Sequence, residues 1–100
     1  MIEYEVYLPA TRKDGTPINA RLIEDIKERL AKAFGGYTHL THRNAGAWRI
    51  GRVVFYDEIT IVRVLDDGTA HFDMASFRQE LEEVLQQESV LVVAREIRLI

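Results

Sequence analysis

Cysteine is missing from this chain of 100 residues, proline occurs twice and tryptophan once. Without cysteine the chain has no disulfide framework, no thiolate nucleophile and no zinc-finger or iron–sulfur ligands. A metal would need histidine, aspartate or glutamate, and we expect neither a metal nor another cofactor. Long apolar runs are missing as well, since none approaches the roughly 20 residues that cross a bilayer. We therefore predict a soluble protein that does not enter membranes.

An excess of positive charge is also missing. Lysine and arginine number 13 against 16 aspartate and glutamate, which gives a net charge of −3, and the basic residues are scattered among the acidic ones. No face is built to neutralise phosphates, so we expect no nucleic-acid partner. The opening "MIEYEVYLPA" lacks the basic and apolar regions of a signal peptide, so we interpret it as a strand and predict a cytoplasmic protein.

The residues that are present indicate one globular domain over 1–100. The composition is 47% hydrophobic and 29% charged, as in ordinary globular proteins. Apolar and polar residues alternate in "IEYEVYL", which predicts a half-buried first strand. Thr16 and Pro17 predict the N-cap and first residue of a helix, and Gly35 and Gly36 predict its end.

Two more strands, a second helix and a last strand follow. "YTHLTH" predicts a short strand, "NAGA" its turn, and "WRIGRVVFYDEITIVRVL" a long strand in which Gly51 marks a bulge or a close approach. Asp73 predicts the N-cap of the second helix, and "SVLVVAREIRLI" predicts the last strand. This order is that of the ferredoxin-like βαββαβ fold, an α+β fold with a four-stranded antiparallel sheet and two helices on one face.

The sheet face away from the helices is predicted to be covered. The long strand and the last strand are apolar on both faces, whereas a sheet with one wet face alternates cleanly. We predict a homodimer formed through the sheet, with a partner protein or loops folded over the face as alternatives. The RNA-recognition motif shares the strand order, but Glu3 and Glu5 on the open face argue against RNA.

His39 and His42 lie in "THLTHRNAGAW" and are the most obvious metal candidates. Residues three apart on a regular strand point to opposite faces, so the pair cannot chelate one ion unless a bulge intervenes. We therefore predict no metal site here.

Asp57 and Glu58 are the candidate catalytic residues. Adjacent strand residues face opposite ways, and because both faces are predicted to be covered, at least one of the two carboxylates should be partly buried. Burial raises the pKa of a carboxyl group and a nearby arginine lowers it, and perturbed carboxylates serve as general acids or bases. The alternative that we favour is a salt bridge to Arg49, Arg52 or Arg63.

Aromatic residues suggest a ligand pocket near these carboxylates. Trp48 begins the predicted long strand, and Tyr7 faces away from the predicted core, so both suit a small apolar pocket with polar handles. Packing in the core or in a subunit interface is the commoner role for such residues.

Several short segments resemble a group of small uncharacterised bacterial proteins of about 100 residues, a domain of unknown function. The segments are "YEVYLP", "FGGYT", "GAW", "DEI" and "QQESVLVV", which span nearly the whole chain. The resemblance implies a ferredoxin-like, dimeric fold and brings no established activity. It draws attention to Thr38, Trp48, Asp57, Glu58 and Gln87, and our candidate ligand-binding residues are Tyr7, Thr38, His39, Trp48 and Gln87.

Two functions fit these features. The first is a homo-oligomeric binding or regulatory module of unknown ligand whose open sheet face is the interface. The alternative is a small cofactor-independent enzyme of isomerase or lyase type with Asp57 or Glu58 as acid or base. Whether the chain is an enzyme stays open at this point.

Overall fold

All six predicted elements form, in the predicted order. The computed structural model describes residues 1–100. Its elements are β1 (Ile2–Pro9), α1 (Ala20–Phe34), β2 (Thr38–Ile50), β3 (Val53–Asp66), α2 (Met74–Val84) and β4 (Val92–Glu96). The strands form one antiparallel sheet in the order β2-β3-β1-β4, and the ferredoxin-like fold is confirmed. Neither helix is long and apolar enough to cross a membrane.

The core lies between one face of the sheet and the two helices. Alternate residues of the central strands point into it, and the antiparallel register sets Val6 directly beside Val62. Each helix adds apolar residues four positions apart, which is the spacing of one helix face. The most deeply buried members of the cluster are Val6, Leu8, Leu30, Val62, Val64, Leu81 and Leu85.

The open face of the sheet has an ion cluster at its centre, where the sequence predicted a largely apolar surface. Glu5 stands opposite Arg63 on β3, and Glu3 stands opposite Arg95 on β4. Arg63 and Arg95 each donate to the Glu5 carboxylate at 2.9 Å. Glu5 is only 5% exposed, and the hydrogen bond from Arg63 outweighs this burial and lowers the pKa of the carboxyl group.

The first helix begins later than predicted, because Thr16 is held in a turn. The backbone N–H and the hydroxyl of Thr16 both donate to Asp14 Oδ1, at 2.9 and 2.6 Å. The N-cap is Asn19, whose side chain accepts from the backbone N–H of Arg21 at 2.7 Å. A short polar side chain thus caps the helix as expected, three residues after Thr16.

The hairpin turn was also predicted in the wrong place. "NAGA" lies inside β2, and the turn is Gly51–Arg52, with Gly51 at a φ of 63°. Two-residue hairpin loops with glycine first and φ positive are favoured because they match strand twist, so Gly51 marks the turn and not a bulge. The irregularity of this hairpin is a register shift between Leu40 and Asn44. Trp48 therefore belongs to β2 and not to β3.

The hairpin continues beyond the rest of the sheet. β1 pairs with β3 only as far as Pro9, which stands opposite Ile59, whereas β2 and β3 remain paired out to Ile50 and Val53. We call residues 44–58 the hairpin arm. Its base lies beside the loops that follow β1 and α2.

Candidate functional site

A cleft of about 350 Å³ lies between the hairpin arm and the loops that follow β1 and α2. One wall is the arm and the other is formed by the two loops. Side chains that line it include Lys13, Trp48, Phe55, Asp57, Gln87 and Glu88.

Trp48 and Asp57 form the polar centre of the arm wall. The indole Nε1–H of Trp48 donates to Asp57 Oδ2 at 2.8 Å, and both side chains are half-buried. The register explains the contact, because Gly46 pairs with Asp57 and Trp48 with Phe55, which places Trp48 and Asp57 diagonally on one face. The Tyr7 ring meets the Trp48 ring edge-on, with centroids 6.2 Å apart. One carboxylate oxygen is thus held by the indole, beside aromatic surface.

Gly46 makes room for the Trp48 ring. A Cβ at position 46 would stand 3.4 Å from Cζ2 of Trp48, at the short end of ordinary van der Waals contact. The "GAW" segment thus places the Trp48 ring beside the glycine.

Two long-range contacts hold the loop wall together. The Gln87 side-chain amide donates to the carbonyl of Thr11 at 2.9 Å, and Lys13 pairs with Glu88 at 2.7 Å. Gln86, just before them, is the only residue other than glycine with a positive φ, at 52°. The chain turns sharply there, and Gln87 and Glu88 follow directly.

The two predicted catalytic carboxylates lie on opposite faces, as expected for neighbours on a strand. Asp57 is half-buried in the cleft, so the expectation of one partly buried carboxylate is confirmed. Glu58 is exposed on the helix side and pairs with Arg43 at 3.3 Å. None of the three arginines proposed as partners pairs with either carboxylate. Asp57 has an indole partner instead, because Trp48 lies on β2. Glu58 pairs with Arg43, which the register shift in β2 brings beside it.

The five predicted ligand-binding residues are not all together. Tyr7, Trp48 and Gln87 lie in or beside the cleft. Thr38 instead borders a separate hollow near the end of α1. His39 faces the helix side, where its Nε2 lies 3.1 Å from Thr60 Oγ1 and its Nδ1 lies 3.5 Å from Lys27 Nζ.

The surroundings of His39 disfavour its charged form. Burial, and then the ammonium of Lys27, lower the pKa of the imidazole. No group of three histidine, aspartate or glutamate side chains is placed to hold a metal ion.

Sequence reasoning missed two features of the site. The first is Lys13, which lies in a polar turn after β1 and lines the cleft. The second is the open-face ion cluster of Glu3, Glu5, Arg63 and Arg95. The sequence signal for the cluster was a pair of glutamates two positions apart on β1, with one arginine on each neighbouring strand. Only the strand register shows that these residues are partners.

Comparisons with known proteins reveal a shared fold. No protein-family model matches the chain, and no curated protein matches it. A phage SAM lyase in complex with S-methyl-5'-thioadenosine superposes with a TM-score of 0.67 at 14% identity, over 95% of this chain and 80% of that chain. A phage SAM lyase in the apo state gives a TM-score of 0.62 at 16% identity, over 95% of this chain and 79% of that chain. At these identities the likeness establishes the fold.

Proposed function

We propose that the cleft at Trp48 and Asp57 binds a small molecule, and that the chain is a lyase acting on a nucleoside sulfonium such as S-adenosylmethionine (SAM). The observation that carries the proposal is the 2.8 Å hydrogen bond that fixes the Asp57 carboxylate against the Trp48 indole inside a cleft of about 350 Å³. Phage SAM lyases with the same fold support the choice of substrate. The lyase alternative of the sequence analysis thus becomes our first hypothesis.

The chemistry of the cleft suits a cation attached to an aromatic group. Aromatic ring faces attract cations, and a carboxylate beside the rings supplies the opposite charge. Trp48, Tyr7 and Phe55 offer ring surface for a purine, which stacks on aromatic side chains. The cleft volume also falls within the roughly 300–1,000 Å³ that is usual for small-molecule sites.

Asp57 has a direct role in the reaction that we propose. It takes a proton from the β carbon of the amino-acid chain of SAM, and the electrons of that C–H bond form a double bond to the γ carbon, which is the carbon bonded to sulfur. The amino-acid chain leaves as an unsaturated amino acid. The electron pair of the carbon–sulfur bond leaves on sulfur, so the sulfonium becomes neutral S-methyl-5'-thioadenosine. The product no longer carries the positive charge that attracted the ligand to Asp57, which favours its release.

A homo-oligomeric binding module is the second candidate. The two glutamates and two arginines at the centre of the open face neutralise each other within the chain. A second copy could cover the centre of this face without burying an unpaired charge, and unpaired buried charges are what makes such contacts costly. The homodimer, the cytoplasmic location and the relation to the small bacterial proteins are parts of this proposal.

Incubation of the purified chain with SAM, followed by chromatography and mass spectrometry, tests the enzyme. We expect S-methyl-5'-thioadenosine to accumulate, and Asp57→Asn to slow this about 100-fold, as expected on removal of a general base. Glu58→Gln is the matched control, because it changes the adjacent carboxylate on the opposite face and should leave the rate unchanged. Binding of SAM without cleavage by the natural sequence would favour the binding module, and a chain that neither binds nor cleaves SAM would overturn the proposed lyase.

A further inference from the structure

We propose that Lys13 makes the cleft selective for ligands that carry an amino-acid group, by exchanging its partner Glu88 for the carboxylate of the ligand. The inference rests on the proposed function and names the part of the ligand that the loop wall recognises. Lys13 and Glu88 lie on the loop wall, across the cleft from Trp48 and Asp57.

The charges that line the cleft carry the argument. They are one ammonium, from Lys13, and two carboxylates, from Asp57 and Glu88. The only hydrogen bond that Asp57 accepts from a side chain comes from a neutral indole, so its charge has no cationic partner. The complementary ligand carries two cationic groups and one carboxylate.

An amino-acid end together with a sulfonium supplies these three charges. The sulfonium lies at Asp57, the ligand carboxylate at Lys13, and the ligand ammonium at Glu88. SAM has all three groups, whereas S-methyl-5'-thioadenosine has none of them. The loop wall therefore distinguishes the substrate from the nucleoside product of the proposed reaction.

The Lys13–Glu88 pair is easily exchanged. Each side chain is 51% exposed, and exposed ion pairs contribute little to stability because water and salt screen them. Opening the pair costs little, and the amino-acid end of a ligand restores a partner to each residue. The ligand thus meets two charges that are already close together.

The backbone under the pair stays in place when the pair opens. Gln87 donates to the carbonyl of Thr11 at 2.9 Å, which fastens the two loops to each other independently of the ion pair. The turn that contains Lys13 is closed by its own bonds, from the Gly15 N–H to the Arg12 carbonyl at 2.9 Å and from the Arg12 N–H to the Thr16 carbonyl at 2.8 Å. Only the two charged side chains need to move.

Calorimetric titration of the full chain with SAM and with S-methyl-5'-thioadenosine tests the inference. We expect Lys13→Met to weaken SAM binding at least about tenfold, the effect of losing one well-placed charge pair, and to leave S-methyl-5'-thioadenosine within about twofold. Lys13→Arg keeps the charge and should retain most of the preference. Lys32→Met removes an exposed lysine from the last turn of α1 and is the matched control.

The outcomes separate the two proposals. Suppose that the natural sequence binds SAM and that Lys13→Met leaves the affinity for both molecules unchanged, or lowers both affinities equally. The role of Lys13 is then wrong and the proposed function stands. If the natural sequence binds neither molecule, both proposals fail. Thermal melting of each variant shows whether the fold is retained, and Lys13→Arg provides the same comparison should Lys13→Met not fold.

Discussion

Trp48 and Asp57 are nine residues apart in the chain and meet only because β2 and β3 pair as a hairpin with the turn at Gly51. A shift of one residue in the register would send one of the two side chains to the other face. The site is therefore specified by a turn that lies outside the cleft. Gly46 lies beside the same contact, since a Cβ there would stand 3.4 Å from the Trp48 ring.

Trp48→Phe tests the contribution of the indole N–H. Phenylalanine keeps a ring over Gly46 but cannot donate to Asp57, so we expect the free energy of unfolding to fall by about 1 kcal/mol, the usual net value of one hydrogen bond. Urea unfolding followed by circular dichroism measures it, since the variant has no tryptophan. Tyr56→Phe is the control, because Tyr56 is 80% exposed and its hydroxyl forms no hydrogen bond within the chain. Equal stability of Trp48→Phe and the natural sequence would contradict the importance of the contact.

The sequence pointed to Trp48, Asp57 and Gln87 among the residues that line the cleft, but not to their partners. Asp57, Trp48 and Tyr7 were found from strand alternation and chemistry, which depend on local spacing. The partner of Asp57 was not found, because it depends on which residues form the hairpin turn. Lys13 was missed for a different reason. Its partner on the loop wall is Glu88, which lies 75 positions away in the chain.

At the scale of elements, α1 is tied to the edge of the sheet through His39. Lysine only donates, so His39 Nδ1 accepts from Lys27, and Nε2–H then donates to Thr60 Oγ1. This arrangement requires a neutral imidazole, because a second proton on Nδ1 would face the ammonium of Lys27. Glu24 pairs with the same ammonium at 2.6 Å and holds it in place.

The stability of the fold should therefore depend on His39 in mild acid. Its pKa lies below the ordinary 6.5 in the folded chain. As the pH falls through 6.5, the unfolded chain gains a proton at His39 that the folded chain does not, so the free energy of unfolding falls. Thermal melts from about pH 7.5 to about pH 5.5 measure this loss. This pH range lies above the one in which ordinary carboxyl groups titrate.

His39→Gln provides the comparison for these melts. Glutamine keeps one acceptor and one donor but does not titrate. The melting temperature of His39→Gln should therefore fall less than that of the natural sequence over the same pH range. His42→Gln changes an exposed histidine nearby and should leave the profile of the natural sequence unchanged. A profile of His39→Gln that matches the natural sequence would contradict this account.

Elements themselves were well predicted, and their ends were not. The strand β1 and the capping of α2 by Asp73 were predicted from neighbouring residues, and both are found in the structure. The start of α1 was wrong because Asp14 competes for Thr16, and the hairpin turn was wrong because "NAGA" has turn-like composition. Local composition could not decide between two turns that differ in how well they fit the twist of the strands.

At the scale of the whole molecule, we propose that the open face is where two copies meet. Ile61 lies near its centre, between Tyr7 on β1 and Leu40 on β2. We expect a homodimer through this face, and Ile61→Asp should shift the chain to monomer because it buries an unpaired charge in the interface. Native mass spectrometry over a dilution series measures the change.

Val84→Asp is the control for the dimer. It places the same charge on an exposed apolar position of α2, on the helix side of the sheet, and should leave the dimer intact. A natural sequence that is monomeric at every concentration would contradict the dimer. The fold class followed from the order of the elements, whereas the oligomer and the ligand depend on surfaces that element order does not describe.

The most direct test of the central claim is the fluorescence of Trp48 during titration with SAM. Trp48 is the only tryptophan of the chain and lies in the cleft, so its emission reports on this site alone. We predict a saturable change in the natural sequence and in Glu58→Gln, and a much weaker response in Asp57→Asn. Emission that stays constant at saturating SAM, or changes equally in all three proteins, would contradict a ligand site at Trp48 and Asp57.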